Sequence, residues 1–282
     1  MTNPYLPLPV TIDKITIEND AKDLKTFRLR FEREEDAAAF QYECGQFAML
    51  SVAGAGESPI GIASSPLDEG YIEFTVKRYP TGVVTTVLHN LVEGATMGVR
   101  GPYGNAYPLA EMEGKNIVIV SGGFAFTTLR STIRYLLHES QRSRFNNITA
   151  IYGARSPGEL LYKDELAAWE AQDGIEMVIT VDKGDEGWSG REGFVPTVLQ
   201  EVAPSAEDAY VLVCGPPIML KFTMPPLIEL GFPPERIITS LERKMTCGIG
   251  KCGRCNVGSY YVCKDGPVFT YAQLQEIPEA VL

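Results

Sequence analysis

Apolar and polar positions change rhythm twice along this chain. From about Val10 to Leu109 the apolar residues come in short runs, broken by Gly and Pro. Residues 11–17 and 26–31 alternate as half-buried strands do, and runs at 47–52 and 72–77 follow them. Regularly spaced short strands predict a small antiparallel barrel. One helical stretch at 83–91, introduced by Thr81 and Gly82, interrupts them, and a Gly-Pro-Tyr-Gly-Asn turn at 101–105 closes the region.

From Lys115 the rhythm becomes strand, helix, strand. Continuous apolar runs at 116–120, 148–153, 177–181 and 210–214 alternate with helical stretches at 128–139, 162–171, 195–202 and from about Ile218. That alternation predicts a doubly wound parallel sheet. Sheets of this kind bind ligands at the carboxyl ends of their strands, where Gly122, Gly123, Gly153 and Gly215 fall. The expected class is thus α/β plus all-β: a barrel over residues 1–112, a sheet domain over 113–240, and a small module over 241–282.

That last module carries the most specific chemistry. Cys247, Cys252 and Cys255 are spaced C-x4-C-x2-C, and Cys263 follows after seven more residues. This is the ligand spacing of a plant-type 2Fe–2S cluster, which moves one electron at a time. Gly248, Gly250 and Gly253 lie between the ligands, where a tight loop must turn its amides toward sulfur. Four cysteines also suit zinc, although zinc sites usually show two short C-x2-C pairs and a long spacer.

Charge and length bound the rest. The chain has 282 residues and a net charge of −11, which argues against nucleic acid or anionic membrane as partners. Against that background Arg243, Lys244, Lys251, Arg254 and Lys264 gather around the cysteine loop. They compensate the thiolates or form a docking surface for an acidic partner. No apolar run is long enough to span a bilayer, and the opening residues predict no secretory leader. Four proposed ligands out of six cysteines leave Cys44 and Cys214, and free thiols beside a cluster suit a reducing cytoplasm. His89 and His138 are far apart, and no nucleophile stands with a base, so hydrolytic chemistry has no support.

In this order of modules the chain resembles the ferredoxin reductase-like flavoproteins. The likeness is strongest to their small FAD- and NAD(P)-binding iron–sulfur subunits. Such subunits occur in cytoplasmic hydrogenases (as the gamma chain), in anaerobic sulfite reductase and in dihydroorotate dehydrogenase (as the electron-transfer chain). The most specific parts of the likeness are Cys214-Gly-Pro-Pro-Ile-Met, Tyr152-Gly-Ala-Arg-Ser-Pro and the cysteine loop. The resemblance implies that the barrel binds FAD. Ser58, Pro59, Ile60, Gly61 and Ile62 stand where the family has Arg-x-Tyr/Ile-Ser. Ser58 replaces the phosphate-clamping arginine, and Gly61 replaces the serine that hydrogen-bonds flavin N5. Gly82, Val83, Val84 and Thr85 match the helix start whose amides cradle the pyrophosphate. Lys77 or Arg78 is then the substitute positive charge.

For the sheet domain the resemblance implies NAD(P). Its first loop, usually Gly-Gly-x-Gly-x-Ala-Pro, is here Gly122-Gly-Phe-Ala-Phe-Thr-Thr128. Ala125 is tolerated only at negative φ, and Phe124 and Phe126 add bulk beside the ligand path. Arg155 and Ser156 stand where a ribose or 2′-phosphate sits, and Cys214, Gly215 and Pro216 at the nicotinamide edge, with Cys214 as the catalytic-site thiol. The implied function is an oxidoreductase subunit passing electrons among NAD(P)H, FAD and a 2Fe–2S cluster. Partner redox subunits of hydrogenase, sulfite reductase, heterodisulfide reductase-like or dehydrogenase type take up or supply them. Two other readings follow from particular residues. The altered 122–128 loop suggests a relay and docking subunit without nicotinamide turnover, and a zinc-filled cysteine loop suggests a stapled nucleotide-binding module.

Overall fold

The structure, a computed structural model, describes residues 3–277. Its first sheet holds β1 (Leu8–Ile17), β2 (Leu24–Phe31), β3 (Phe47–Val52), β4 (Gly56–Gly61), β5 (Ile72–Lys77) and β6 (Thr96–Tyr103). Two helices, α1 (Glu34–Ala39) and α2 (Val83–Asn90), lie between these strands. The sheet order is β4-β3-β6-β1-β2-β5, antiparallel throughout. Just past β4 the Ala63 amide donates to Glu73 O at 2.9 Å, a single bond between the two edges of this barrel-like antiparallel sheet.

Two strands, β4 and β6, were illegible in the apolar pattern. The first reads Gly-Glu-Ser-Pro-Ile-Gly, and it sits at an edge, where a proline removes no needed ladder bond. By contrast β3 is readable because it is buried on both sides. Ala48 and Leu50 enter the barrel core with Phe27, Leu29 and Phe74. The alternate residues Phe47 and Met49 pack outward against Cys255 and Cys263.

The second sheet follows the predicted alternation. Its strands are β7 (Asn116–Gly122), β8 (Ile148–Ala154), β9 (Glu176–Val181), β10 (Arg191–Glu192), β11 (Ala209–Cys214) and β12 (Ile237–Ser240). The helices are α3 (Phe126–Leu137), α4 (Lys163–Glu170), α5 (Val195–Val202) and α6 (Pro217–Glu229). Along β7, Ile117 and Ile119 pack toward α3 and α4, while Val118 and Val120 pack toward α5 and α6. A strand covered on both faces must be apolar throughout, which explains the continuous run.

The cysteine module contains β13 (Asn256–Val257), β14 (Tyr260–Tyr261), α7 (Val262–Asp265), β15 (Val268–Thr270) and α8 (Tyr271–Gln275). The module is not separate from the second sheet, because β15 pairs antiparallel with β12 and extends it. The full order is β10-β9-β8-β7-β11-β12-β15. Asn105 clamps the module to the barrel, donating from Nδ2 to Val268 O at 2.8 Å and accepting from Val268 N at 2.9 Å.

Barrel and sheet are locked by buried charge. Arg130 of α3 is 4 % exposed; Nη1 donates to Glu73 Oε2 of β5 at 2.7 Å and Nε to Glu165 Oε2 of α4 at 2.8 Å. Arg28 of β2 reaches the other Glu73 oxygen at 3.0 Å. Burial alone would raise the Glu73 carboxyl, but these arginines hold it below its ordinary range. Among the described residues no helix is long and apolar enough to cross a membrane.

Candidate functional site

The cysteine loop turns three times through backbone that glycine favours. Gly248, Gly250 and Gly253 have φ of +75°, +71° and +72°. Those turns aim amides at sulfur. Ile249, Lys251 and Cys252 donate to Cys247 Sγ at 3.5, 3.3 and 3.4 Å, and Gly250 donates to Cys263 Sγ at 3.0 Å. Burial opposes ionisation of Cys247, but the amides prevail and draw its thiol down to about 6. Cys263 is pushed up to about 12 by burial and by the neighbouring Cys255. Crowded thiols of this kind ionise together only around a metal charge.

Among the described residues no three His, Cys, Asp or Glu side chains converge on one point. The cysteines divide into two pairs by their surroundings: the Cys252 amide donates to Cys247 Sγ at 3.4 Å near the surface, and Cys255 and Cys263 share one buried cluster. The second pair is buried against Phe47 and Met49, and in the first Cys252 is exposed. Paired sulfurs, each supported by backbone amides, fit a two-iron rhombus with one pair per iron.

Arg100 of β6, which no sequence motif marks, fastens this loop to the barrel. It is 3 % exposed, forks onto Glu57 at 2.7 and 2.6 Å, and reaches Cys247 O at 3.3 Å. The Tyr103 hydroxyl accepts from it at 2.9 Å. An arginine beside a Gly-Pro turn was the one available signal, and its partner lies 147 residues away.

The proposed flavin residues 58–62 lie on and just past edge strand β4. Ser58, Pro59, Ile60 and Gly61 pair with Leu50, Met49, Ala48 and Phe47 of β3, and Ile62 is buried with its amide on Gln46 O at 3.1 Å. Gly82 caps α2 without a side chain, and the first helical bond runs from Thr86 N to Gly82 O at 3.1 Å. The amides of Val83, Val84 and Thr85 thus precede the ladder and are oriented to bind an anion. Thr85 Oγ1 lies 2.3 Å from where a Cβ on Gly82 would stand, so any larger residue there would have to turn the Thr85 side chain away. Lys77 ends β5 beside Asp23 at 3.9 Å, and Arg78 is exposed. These features fit a flavin dinucleotide.

At the second sheet, the expected glycines meet at the carboxyl ends of β7 and β11. A Cβ on Gly122 or Gly215 would strike Met219, at 2.5 Å from Sδ or 2.2 Å from Cε respectively. Gly123 has φ +58° with open space around it, and Ala125 has φ −64°, a conformation that alanine adopts freely. The bulk expected from Phe126 is absent from the groove. Its ring is fully buried and stacks on Tyr152 with centroids 3.9 Å apart, so it turns into the core beneath the loop. Phe124 leans partly on the same core.

Exposed Arg155 and half-buried Ser156 follow β8, and the Lys183 amide after β9 donates to Arg155 O at 3.2 Å. Cys214 is 7 % exposed, and burial pushes its thiol up to about 11, which makes it a neutral contact and not a thiolate nucleophile. Thr128 Oγ1 lies 3.6 Å from that sulfur. Pro216 is exposed at the start of α6. Cys44 is buried to 2 % in the same core cluster as Cys214, with its sulfur on Ser131 of α3. A cleft lined by Phe31, Phe40, Tyr42 and Tyr71 shares no residue with any of the three regions.

The class defined by this fold and these regions is a flavin- and nucleotide-binding oxidoreductase with an iron–sulfur module. Residues 12–107 match the oxidoreductase FAD-binding domain, 119–224 the oxidoreductase NAD-binding domain, and 242–275 the iron–sulfur cluster binding domain of dihydroorotate dehydrogenase B. The chain belongs to the ferredoxin reductase-like family of iron–sulfur flavoprotein subunits. It is 38 % identical to sulfhydrogenase 1 subunit gamma of Pyrococcus furiosus, over 98 % of this chain and 94 % of that one. A probable dihydroorotate dehydrogenase B (NAD(+)) electron transfer subunit of Thermococcus kodakarensis is 36 % identical, over 92 % and 94 %. Among solved structures, a chain of an NADH-dependent reduced ferredoxin-NADP oxidoreductase superposes with a TM-score of 0.73 at 26 % identity, over 99 % of this chain and 92 % of that one.

Proposed function

We propose that this chain is the electron-transfer subunit of a cytoplasmic redox complex, passing electrons between NAD(P)H, FAD, a 2Fe–2S cluster and a partner subunit. The observation that carries this reading is the position of Gly61. On one side it touches Thr128, which stands beside Cys214. On the other it pairs with Phe47, whose side chain shares a buried cluster with Cys255 and Cys263. The three candidate sites therefore adjoin at one point of the chain.

Each site has an assigned task. Gly122, Gly123 and Gly215 keep the backbone open for a dinucleotide, Arg155 and Ser156 hold its ribose end, and Cys214 with Pro216 bounds the nicotinamide. Residues 58–62 face the flavin ring, and Gly82, Val83, Val84 and Thr85 hold the pyrophosphate with Lys77 or Arg78 supplying charge. When FAD is bound, its chemistry converts a two-electron hydride donor into single electrons for an iron–sulfur acceptor. Cys247 with Cys252 and Cys255 with Cys263 hold one iron each. On this reading the units are 1–112, 113–240 and 241–282, the last sharing a sheet with the second.

The partner is a redox subunit of the hydrogenase, sulfite reductase, heterodisulfide reductase-like or dehydrogenase type. Support comes from the relatives named above and from the surface around Cys252. Arg243, Lys244, Lys251, Arg254 and Lys264 are all exposed there, and none forms a salt bridge among the described residues. The test is anaerobic titration of the purified, cofactor-loaded chain with NADH and then NADPH. Bleaching of the flavin band by either supports the reading. A loaded chain that neither nucleotide bleaches leaves the relay without nicotinamide turnover, and native co-purification then identifies the partner.

A further inference from the structure

Two departures from the family pattern, far apart in sequence, touch each other. Gly61 ends β4 where the pattern has serine, and Thr128 stands in the first turn of α3 where it has proline. A Cβ on Gly61 would come within 2.5 Å of Thr128 Cγ2, closer than real atoms allow. The threonine methyl fills the space that a side chain at 61 would use. Its hydroxyl donates to Ala125 O at 3.1 Å and lies 3.6 Å from Cys214 Sγ. Behind it stands Tyr107, 4 % exposed, whose hydroxyl lies near the Thr128 and Ser240 side chains and has no hydrogen-bond partner.

We propose that Thr128 supplies, from the sheet domain, the hydroxyl contact to the N5 edge of bound flavin that a serine at position 61 would supply from the barrel. The proposal rests on the reading of residues 58–62 as the flavin-facing strand. The contact between the two positions admits one side chain, so glycine at 61 and threonine at 128 form a matched pair. The Thr128 hydroxyl gives its one hydrogen to Ala125 O, which leaves its lone pairs to accept from a protonated N5 edge, and rotation away from Ala125 O frees that hydrogen for an unprotonated one. Carried on α3, it also lies against Cys214, so one helix turn sets both the flavin edge and the nicotinamide boundary. The Tyr107 hydroxyl behind Thr128 is buried without a hydrogen-bond partner, so the junction carries polar capacity that the chain's own side chains leave unused.

The test uses the full chain loaded with FAD and readouts that need no turnover: FAD affinity by fluorescence titration, the visible flavin spectrum and the flavin reduction midpoint. Thr128→Val keeps the methyl and removes the hydroxyl. It is expected to weaken FAD binding about tenfold, the effect of one lost hydrogen bond, and to shift the midpoint. Thr128→Ser, and the double change Gly61→Ser with Thr128→Ala, each keep one hydroxyl at the junction and stay within about threefold of the parent. A Thr128→Val chain with parental affinity, spectrum and midpoint overturns the proposal. Gly61→Ser alone is expected to melt at a lower temperature than the double variant, and equal melting overturns the contact. A parent chain that takes up no FAD overturns the functional reading and this proposal with it.

Discussion

Only two residues separate Cys252 from Cys255, yet the first is exposed and the second is 1 % exposed. The Gly253 turn between them, at φ +72°, makes that difference possible. Replacing either cysteine by serine removes one of the four proposed ligands to the cluster. Both variants are expected to lose the brown visible bands and nearly all bound iron, while FAD is retained because residues 58–62 and 82–85 are untouched. Iron analysis beside flavin quantification checks this, and iron retained at parental level in Cys255→Ser would contradict the ligand assignment. At this scale much was readable from sequence: ligand spacing and loop glycines are local signals. Arg100 was not, because its carboxylate and carbonyl partners come from β4 and the cysteine loop, and only the folded chain brings them together.

Elements tell a similar story of local signal against long-range context. Continuous apolar runs gave β7, β8 and β11, because burial on both faces demands them. The β4 edge strand gave no such signal, yet it holds residues 58–61, proposed to face the flavin. Nor does spacing say which way Phe126 points, since the stack on Tyr152 is a tertiary contact. The same holds for Arg130, whose partners Glu73 and Glu165 lie 57 and 35 residues away. Arg130→Met leaves Glu73 buried with a charge and is expected to cost about 3–5 kcal/mol in unfolding free energy, measured by denaturant titration. The Glu73 carboxyl has a folded value lowered from an ordinary 4.5, so its contribution is present above that pH and is lost as pH falls through the folded value. Melting temperatures of the parent should therefore drop more steeply below about pH 4.5 than those of Glu73→Gln, whose amide does not titrate. Parallel curves would show that Glu73 is already protonated in the fold.

At the scale of the whole molecule, a net charge of −11 sits beside a positive rim at the cysteine loop. The five rim cations are exposed and without salt bridges among the described residues, so whatever share of the thiolate charge they offset, they leave cationic groups free at the surface. Exposed Cys252 lies between Lys251 and Arg254 in the loop, on the outer of the two thiol pairs, and the inner pair backs onto the barrel through Phe47. On the proposed reading, electrons leaving the barrel reach the surface where the field favours an acidic partner, and steering of that kind acts on association rate and weakens with salt. Reversing Lys251 and Arg254 to glutamate changes the local charge by four units without touching a proposed cofactor residue. The double variant is expected to keep cluster and flavin spectra, to keep reduction of small dyes by nicotinamide, and to lose about tenfold or more in association rate with its partner at low salt. Raising ionic strength should slow the parent and leave the variant nearly flat. Stopped-flow mixing across a salt series separates the outcomes: a parent rate that does not depend on salt, or a variant that keeps the parent's slope, places the docking face elsewhere on the molecule.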